Sequence, residues 1–275
     1  MDLSGVPETL LWPLYARASE ARRPDALLRD PKAIELVDSI DYPFEARFGR
    51  PHQVLALREL SFDSQVRGFL ARHPRGTVVA LADGLNTQFW RLENGQARWL
   101  SIDLPEVIEL RRKLLPDTER SRSIACSALD ERWMDSVDSR DGVFITAQGL
   151  LMYLHESDVY ALILRCAKAF PGAVMMFDAM PRLFTVPILG NTIPGACFMP
   201  GNLNGKDGYR LPPMPWSSTF GNTRRRLQAH PNISKVRFVR LPRGRGIIYR
   251  YMAPLTDLVL GLRSVTPWNA TVEFE

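Results

Sequence analysis

Between residues 77 and 179, short apolar runs alternate with amphipathic segments, and this alternation restricts the fold more than any other feature. The runs are nearly continuous in apolar character, which is typical of strands covered on both faces. Strands that alternate with helices predict a parallel sheet with helices on both sides. The sequence therefore predicts an α/β fold. The five runs are "TVVALA", "ARWLSID", "SRSIACSAL", the beginning of "DGVFITAQGLLMYL", and "AVMMFDAM".

The flanking segments predict a helical cap before this sheet and further strands after it. Apolar positions recur every three or four residues in "ETLLWPLYARA" and "DPKAIELVDSI", and Asp30-Pro31 marks a helix start. The segment "KVRFVRLPRGRGIIYRYMA" predicts two strands around residues 242–246, an antiparallel hairpin that completes the sheet. Residues 180–217 are rich in Pro, Gly and Asn, and form either a lid or a plain surface loop.

These segments predict a single domain over residues 1–275. Its predicted parts are a helical cap (1–74), a ligand-binding core (75–180), a lid insertion (181–235) and C-terminal strands (236–275).

Composition favours a soluble globular protein, and if its basic clusters bind a ligand, a small anionic molecule explains them better than DNA does. The net charge of +5 is modest for 275 residues, and the basic clusters are short enough to be solvated helix faces and loops, so no nucleic acid partner is expected. These clusters are residues 111–113, 224–226 and the arginines at 240, 243 and 245. No secretory leader or apolar run of about 18 residues is visible, which predicts a cytoplasmic protein without a membrane span.

The three cysteines predict neither a disulfide framework nor a zinc site, because Cys126, Cys166 and Cys197 form no C-x-x-C pair. Each lies among apolar or small residues, as buried thiols do. The sequence also has no cluster of His, Asp and Glu with ligand spacing, so no metal is expected.

The residues that follow the predicted strands indicate the ligand. In open α/β sheets, ligands bind at the carboxyl ends of the strands, and Ala82, Asp83 and Gly84 follow the first strand. Asp103 ends the second strand, 19 residues after Gly84, where an acid is placed to bind the hydroxyls of a ribose or simply to cap a helix. The G-x-G-x-x-G pattern of dinucleotide sites is absent. A nucleoside ligand without phosphates, such as S-adenosylmethionine, does not need that set of glycines in the loop.

A longer stretch carries a family resemblance. "VVALADGLNTQFWRLENGQARWLSIDLPEVIELRRKLLP" resembles the leucine carboxyl methyltransferase family, in particular its bacterial branch of tetracenomycin-type polyketide carboxyl O-methyltransferases. The similarity continues through "ETLLWPLYARASEARRPDALLRDP", "ALDERWMD" and "FITAQGLLMYL", and covers roughly residues 7–180. It implies a Rossmann-like class I methyltransferase fold with a mostly parallel sheet, and S-adenosylmethionine as cofactor.

The resemblance also assigns site residues. It matches Arg58 with the arginine that binds the methionine carboxylate of the cofactor, a task suited to a guanidinium. It matches Gln148 with a family glutamate near the active centre, and Arg17 with a basic residue of the N-terminal segment that closes over the site. The other implied cofactor-binding residues are Ala82, Asp83 and Gly84 of the first loop, Asp103 and Leu104 at the ribose, and Ala128 and Leu129 at the adenine.

Two positions depart from the family pattern. Ala82 stands where the family usually has glycine, and an alanine there is tolerable if its φ is negative. Gln148 keeps the shape of the usual glutamate but loses its charge. These departures keep open an S-adenosylmethionine-binding protein whose chemistry is altered or lost.

Few residues can act as a general base. A carboxylate acceptor needs none, because it is ionised at pH 7. Of the four histidines, His155 could serve as a base for a phenol, or be a surface residue at a helix start. Tyr153 contacts the acceptor or only packs, and Asp178 either lies at the site or caps the next element. Trp12 and Tyr15 are expected to pack inside the cap.

The sequence therefore predicts an S-adenosylmethionine-dependent O-methyltransferase that acts on a carboxyl group of a small secondary metabolite, with Tyr153 and Gln148 as candidate catalytic residues. Methylation of a protein C-terminus is less favoured. A phenol O-methyltransferase and a cofactor-binding protein without methyl transfer remain alternatives. No oligomeric state is predicted.

Overall fold

The computed structural model describes residues 8–181, 212–246 and 267–275, which form helical layers around one sheet. The helices are α1 (Glu8–Ala21), α2 (Pro31–Ser39), α3 (Phe44–Phe48), α4 (Val54–Arg72), α5 (Gln88–Leu92), α6 (Pro105–Leu114), α7 (Glu156–Ala169) and α8 (Phe220–Gln228). The strands are β1 (Thr77–Leu81), β2 (Arg98–Asp103), β3 (Ser121–Ala125), β4 (Val143–Ala147), β5 (Val174–Ala179), β6 (Ile233–Val239) and β7 (Trp268–Phe274). The α/β fold and all five predicted strands of the core are confirmed.

The sheet has the strand order β3-β2-β1-β4-β5-β7-β6. The first five strands in this order are parallel, and β7 runs antiparallel to both β5 and β6. Since the order turns back between β1 and β4, the carboxyl ends of these two strands flank a switch point, where open α/β sheets bind ligands.

Both faces of the sheet are buried, which explains why the strands are apolar almost throughout. Val79 and Leu81 of β1 pack in one cluster with Leu162 of α7. Val78, which points to the opposite face, packs with Phe62 and Val66 of α4. Successive strand residues face opposite sides, so each side requires its own apolar set.

The predicted N-terminal helical cap is present and shares its core with the sheet region. The helix start at Asp30 is confirmed, because its carboxylate accepts a hydrogen bond from the amide of Ala33 (3.0 Å) and Pro31 is the first helical residue. The apolar cluster of α1, α2 and α3 continues into Leu85, after β1, and Leu110 of α6. The cap is therefore packed against the sheet region as part of its core.

An antiparallel C-terminal pair of strands completes the sheet, as predicted. The first strand of the predicted hairpin exists as β6, but the strand that pairs with β6 is β7, at the end of the chain. The second predicted strand lies outside the described residues. The helix α8 and the start of β6 occupy part of the segment predicted as a lid, and α8 packs against β6. Residues 182–211 of that lid segment lie outside the described residues.

Two further expectations concern cysteines and membranes. Cys126 and Cys166 are buried free thiols, as predicted, whereas Cys197 lies outside the described residues. In the described ranges, no helix combines the length and apolar character needed to span a bilayer.

Candidate active site

A cavity of about 340 Å³ lies at the carboxyl ends of β1, β2, β4 and β5, beneath α1 and α4. This is the switch point of the sheet, and it brings together most of the residues predicted from the sequence. The predicted residues that line it are Trp12, Arg17, Arg58, Ala82, Asp83, Gly84, Asp103, Leu104, Gln148, Tyr153 and Asp178. Parallel strands end at the same edge of the sheet, so residues distant in the sequence converge there.

The loop after β1 turns through two left-handed residues. Gly84 has φ +52°, and a Cβ atom there would lie 2.6 Å from Cδ2 of Leu10 in α1. The left-handed backbone favours glycine here, and a larger residue would also have to displace the side chain of Leu10. Ala82 has φ +51°, so the negative φ that would make alanine tolerable at this position is not observed. A left-handed alanine costs about 1–2 kcal/mol, and the loop must be held by other contacts.

Arg111 of α6 supplies those contacts. Its guanidinium donates to the carbonyl oxygen of Gly84 (2.7 Å) and pairs with the carboxylate of Asp83 (2.9 Å). The hydroxyl of Ser101 donates to the same carboxylate (2.6 Å). Burial raises the pKa of Asp83, and Arg111 and Ser101 oppose that shift. Asp83 lines the cavity, but its carboxylate is engaged by Arg111 and Ser101, so its side chain serves to anchor the loop.

Arg111 corrects the interpretation of residues 111–113 as a solvated face. Its side chain is 2% exposed, whereas Lys113 on the same helix is exposed and pairs with Glu109. An arginine within a basic run gives no sequence signal that it is buried, because its partner, Asp83, is set by tertiary packing. Arg111 is the loop anchor that sequence reasoning missed.

Asp103 ends β2 with its carboxylate at the cavity. Its two oxygens accept hydrogen bonds from the amides of Gly84 (2.7 Å) and Leu104 (2.8 Å). Burial raises the pKa of Asp103 to about 6, although both amides favour the ionised form. Each carboxylate oxygen retains a lone pair for a further donor. Leu104 is 44% exposed beside it, an apolar surface at the rim of the cavity.

Arg58 of α4 and Asp178 at the end of β5 meet across the cavity. Nη1 of Arg58 donates to Oδ2 of Asp178 (3.0 Å), and the other carboxylate oxygen accepts from the amide of Gly149 (2.6 Å). Asp178 therefore lies at the site, one of the two outcomes left open by the sequence. Burial raises the pKa of Tyr153 to about 12, with Arg58 lowering it and Asp178 raising it. Tyr153 is a neutral phenol at physiological pH.

Gln148 directly follows β4, and its amide is held by a carboxylate that sequence reasoning missed. Nε2 of Gln148 donates to Oε2 of Glu59 (2.8 Å), a buried residue that follows Arg58 in α4. Its other amide atom, Oε1, is buried and has no partner among the described residues, and the same holds for Nε of Arg58.

Several predicted residues are placed elsewhere or play a different part. Ala128 and Leu129 are not in the cavity lining; the carbonyl of Ala128 accepts from the indole of Trp133 instead (3.2 Å). His155 is exposed at the start of α7, so of the two predictions for it, the surface residue is the one observed. Tyr15 packs in the cap against Phe44, as predicted.

Two residues of α1 combine packing with a place at the cavity. Trp12 packs against the cap cluster, as expected, but also lines the cavity. Arg17 is buried there, and Nη2 donates to the carbonyl of Leu85 (2.8 Å) while Nε lies 3.4 Å from Asp30.

An apolar wall completes the cavity, and no motif in the sequence indicates it. Its residues are Leu150, Met152, Met180, Met214 and Leu241. The segment before α8 is tied to this wall by two backbone hydrogen bonds, from Trp216 to Met152 (3.3 Å) and from Ser218 to Met180 (3.2 Å). Methionine side chains adapt to the shape of an apolar ligand.

The polar atoms of the cavity fit S-adenosylmethionine. The partnerless Nε of Arg58 is a donor for a carboxylate, and the partnerless Oε1 of Gln148 is an acceptor for an ammonium group. A free α-amino acid end carries both groups. Asp103 adds an acceptor for ribose hydroxyls, and Leu104 and Val107 add apolar surface for a base.

Comparison with known proteins agrees with this fit. The model of the leucine carboxyl methyltransferase family matches residues 11–167, more than half of the chain. The tetracenomycin polyketide synthesis O-methyltransferase TcmP of Streptomyces glaucescens is 36% identical over 181 residues, which are 65% of this chain and 67% of that protein. The S-adenosyl-L-methionine-dependent methyltransferase dpfgK of Gibberella zeae is 30% identical over 188 residues, 62% of this chain and 63% of its own length.

A solved structure shows the same fold over nearly the whole chain. A possible exported protein from Bordetella parapertussis superimposes with a TM-score of 0.53 at 15% identity, covering 99% of this chain and 98% of that one. At this identity the likeness concerns the fold alone. The family match, the sheet topology and the fit of the cavity lead to one assignment: the chain belongs to the leucine carboxyl methyltransferase family of S-adenosylmethionine-dependent methyltransferases.

Proposed function

We propose that the protein is an O-methyltransferase that methylates a carboxyl group of a small, acidic, polyketide-like secondary metabolite in the cytoplasm. The observation that carries this proposal is a cavity that fits the cofactor yet offers no general base. Among the described residues that line it there is no histidine, cysteine or lysine. This lining suits a substrate whose nucleophile is already ionised, as a carboxylate is at pH 7.

The acidic residues of the lining are each committed to another task. Asp83 is bound by Arg111, and Asp178 is bound by Arg58 and the amide of Gly149. Asp103 is bound by two amides at the ribose position. Tyr153, with a pKa of about 12, does not ionise near neutrality. In the part of the lining that the structure describes, no group is therefore free to take the proton of a phenol acceptor.

The protein contributes binding, orientation and exclusion of water. Arg58 and Gln148 would hold the amino-acid end of the cofactor, Asp103 the ribose, and Leu104 the adenine. When bound, S-adenosylmethionine supplies an electrophilic methyl group. The wall around Met152 and Met180 would then position the acceptor for in-line attack, and positioning is the main contribution to this kind of transfer.

The relatives support the class of acceptor. The matched family is named for carboxyl methylation, and TcmP is named for tetracenomycin polyketide synthesis. An aromatic polyketide acid is an elongated apolar body with one charged end, and the cavity presents an apolar wall beside buried polar groups.

The test is transfer of labelled methyl from S-adenosylmethionine to an aromatic acid that carries both a carboxyl and a phenol group. We expect label in a product that mild alkali hydrolyses, because a methyl ester is alkali-labile and a methyl ether is stable. We also expect the rate of transfer to be independent of pH between about 7 and 9, since the carboxylate is ionised throughout this range.

Two outcomes would support the alternatives, and one variant serves as a control. Alkali-stable label, with a rate that rises with pH, would identify a phenol O-methyltransferase. Calorimetric binding of S-adenosylmethionine without label transfer to any acid would favour the non-transferring alternative. An Asp103→Ala variant, which should lose cofactor binding, serves as the blank.

A further inference from the structure

A buried network of charges lies beneath the candidate active site. Arg91 of α5 pairs with Asp30 (2.7 Å), Asp63 (2.9 Å) and Glu59. All four side chains are 4% exposed or less. Glu59 extends this network to the cavity, because its second carboxylate oxygen accepts from Nε2 of Gln148.

The network carries more negative than positive charge. Its arginines are Arg17, Arg58 and Arg91, and its carboxylates are Asp30, Glu59, Asp63 and Asp178. With each group ionised, one negative charge is left uncompensated. Burial alone would raise the pKa of Glu59, but Arg91 and Arg17 outweigh burial and hold the pKa at about 2. Glu59 is therefore anionic at physiological pH, and a cation bound nearby would balance the network.

Glu59 also decides which way the amide of Gln148 is turned. A carboxylate accepts hydrogen bonds only, so Glu59 requires the NH₂ group of Gln148 on its side. The amide oxygen must then point away from Glu59. That oxygen, Oε1, is buried, belongs to a residue of the cavity lining, and has no partner in the described part of the chain. A buried acceptor without a donor destabilises the protein, and a bound N–H donor would remove that cost.

We propose that Glu59 and Gln148 form a single recognition unit for the α-ammonium group of the cofactor. Gln148 accepts the hydrogen bond through Oε1, and Glu59 is a positioning residue that orients the amide and supplies the negative charge behind it. The family glutamate is replaced by glutamine here, and the charge has moved to the neighbouring side chain on α4. This inference rests on the assigned cofactor and concerns residues of this chain alone.

The test measures selectivity for the amino group by calorimetry, so it does not depend on turnover. The two ligands are S-adenosylhomocysteine and its analogue with hydrogen in place of the α-amino group. We expect the wild-type protein to prefer S-adenosylhomocysteine by roughly 10- to 100-fold, as for a hydrogen bond to a charged group. Glu59→Gln should reduce this preference by about 10-fold while leaving affinity for the deaminated analogue nearly unchanged.

Two further variants test the arrangement. Asp63→Asn is the matched control, because it removes a carboxylate from the same network without contact to Gln148. It should lower stability and leave the selectivity intact. The exchange Glu59→Gln with Gln148→Glu restores one carboxylate and one amide in reversed places, and should recover most of the preference.

The outcomes are distinct. If Glu59→Gln weakens both ligands equally, or changes neither, Glu59 has no role in ammonium recognition. If Asp63→Asn lowers the selectivity as much as Glu59→Gln, the effect belongs to the charge of the network, and the positioning role is overturned. If the wild-type protein binds neither compound, the cofactor site itself is wrongly placed and this proposal falls with it.

Discussion

Asp103 shows how a single residue meets two opposed demands. In the proposed role its ionised form accepts the ribose hydroxyls, yet burial disfavours that charge and raises the pKa of Asp103 to about 6. Since the folded-state pKa lies above the ordinary value of 3.8, this group contributes stability that is present at low pH and lost as pH rises through about 6. Ligand binding has the opposite sign, because it requires the ionised form.

We therefore expect the affinity for S-adenosylhomocysteine to be constant from pH 7 to 8 and to fall below about pH 6, approaching 10-fold per pH unit. Calorimetry across pH 5.5–8 measures this profile. In Asp103→Asn the affinity should be low and independent of pH over the same range. A wild-type profile that persists in Asp103→Asn would assign the titration to a different group.

Residues at strand ends could be predicted from the sequence, and residues that position them could not. Gly84, Asp103 and Gln148 follow apolar runs, and parallel strands must deliver such residues to one edge of the sheet. Arg111 and Glu59 stand inside helices, where their charge is ordinary and their partners are set by the packing of one helix on another. The positive φ of Ala82 was likewise invisible, because an alanine in a loop carries no mark of its backbone conformation.

At the scale of elements, Arg91 is the connection between three helices. Helix α5 has five residues, too few to be stable alone, and Arg91 links it to Asp30 before α2 and to Glu59 and Asp63 of α4. The hydroxyl of Thr87, just before α5, also donates to Asp30 (2.6 Å). The ion pairs of Arg91 and the hydrogen bond of Thr87 therefore hold the loop before α5 against α4 and the start of α2.

Removing Arg91 would leave three buried carboxylates without their common partner. We expect Arg91→Ala to lower the free energy of unfolding by about 3–5 kcal/mol, as when one member of a buried ion pair is deleted. Urea denaturation followed by circular dichroism measures the change. Arg132→Ala is the control, because Arg132 is 84% exposed and its pair with Asp130 contributes little. A loss below about 1 kcal/mol in Arg91→Ala would mean that the network is solvated.

Strand β7 is the element that the sequence interpretation missed, although a signal was present. In "WNATVEF", apolar residues alternate with Asn, Thr and Glu, which is the period of a strand. The second strand of the hairpin is predicted directly after residue 246 because hairpin partners are normally adjacent in sequence. The chain instead inserts β7 between β5 and β6, and Asn269 of β7 reaches the cavity lining.

At the scale of the whole molecule, the cap is joined to the sheet region through the apolar cluster of the cap. Leu85 and Leu110 belong to the apolar cluster of the cap, and Leu10 of α1 fills the space above Gly84. The segment after β6, residues 240–246, also contacts the cap. Arg245 pairs with Glu20 and exchanges two backbone hydrogen bonds with the side chain of Gln53 (2.8 and 2.9 Å). Residues from all these parts line the cavity, so a ligand there should stabilise them together.

We accordingly expect the cap and the sheet region to unfold in one transition, with coincident urea curves for helix content by circular dichroism and for tryptophan fluorescence. The six tryptophans include Trp12 in the cap and Trp99 and Trp133 in the sheet region, so the fluorescence follows both parts. S-adenosylhomocysteine at 100 times its dissociation constant should raise the unfolding free energy by about 2.7 kcal/mol and slow amide exchange in α1 and in β1 alike. Separate transitions, or protection limited to β1, would show that the cap folds as an independent unit. The cavity would then be an interface between two units, and its affinity for the cofactor would depend on how often they meet.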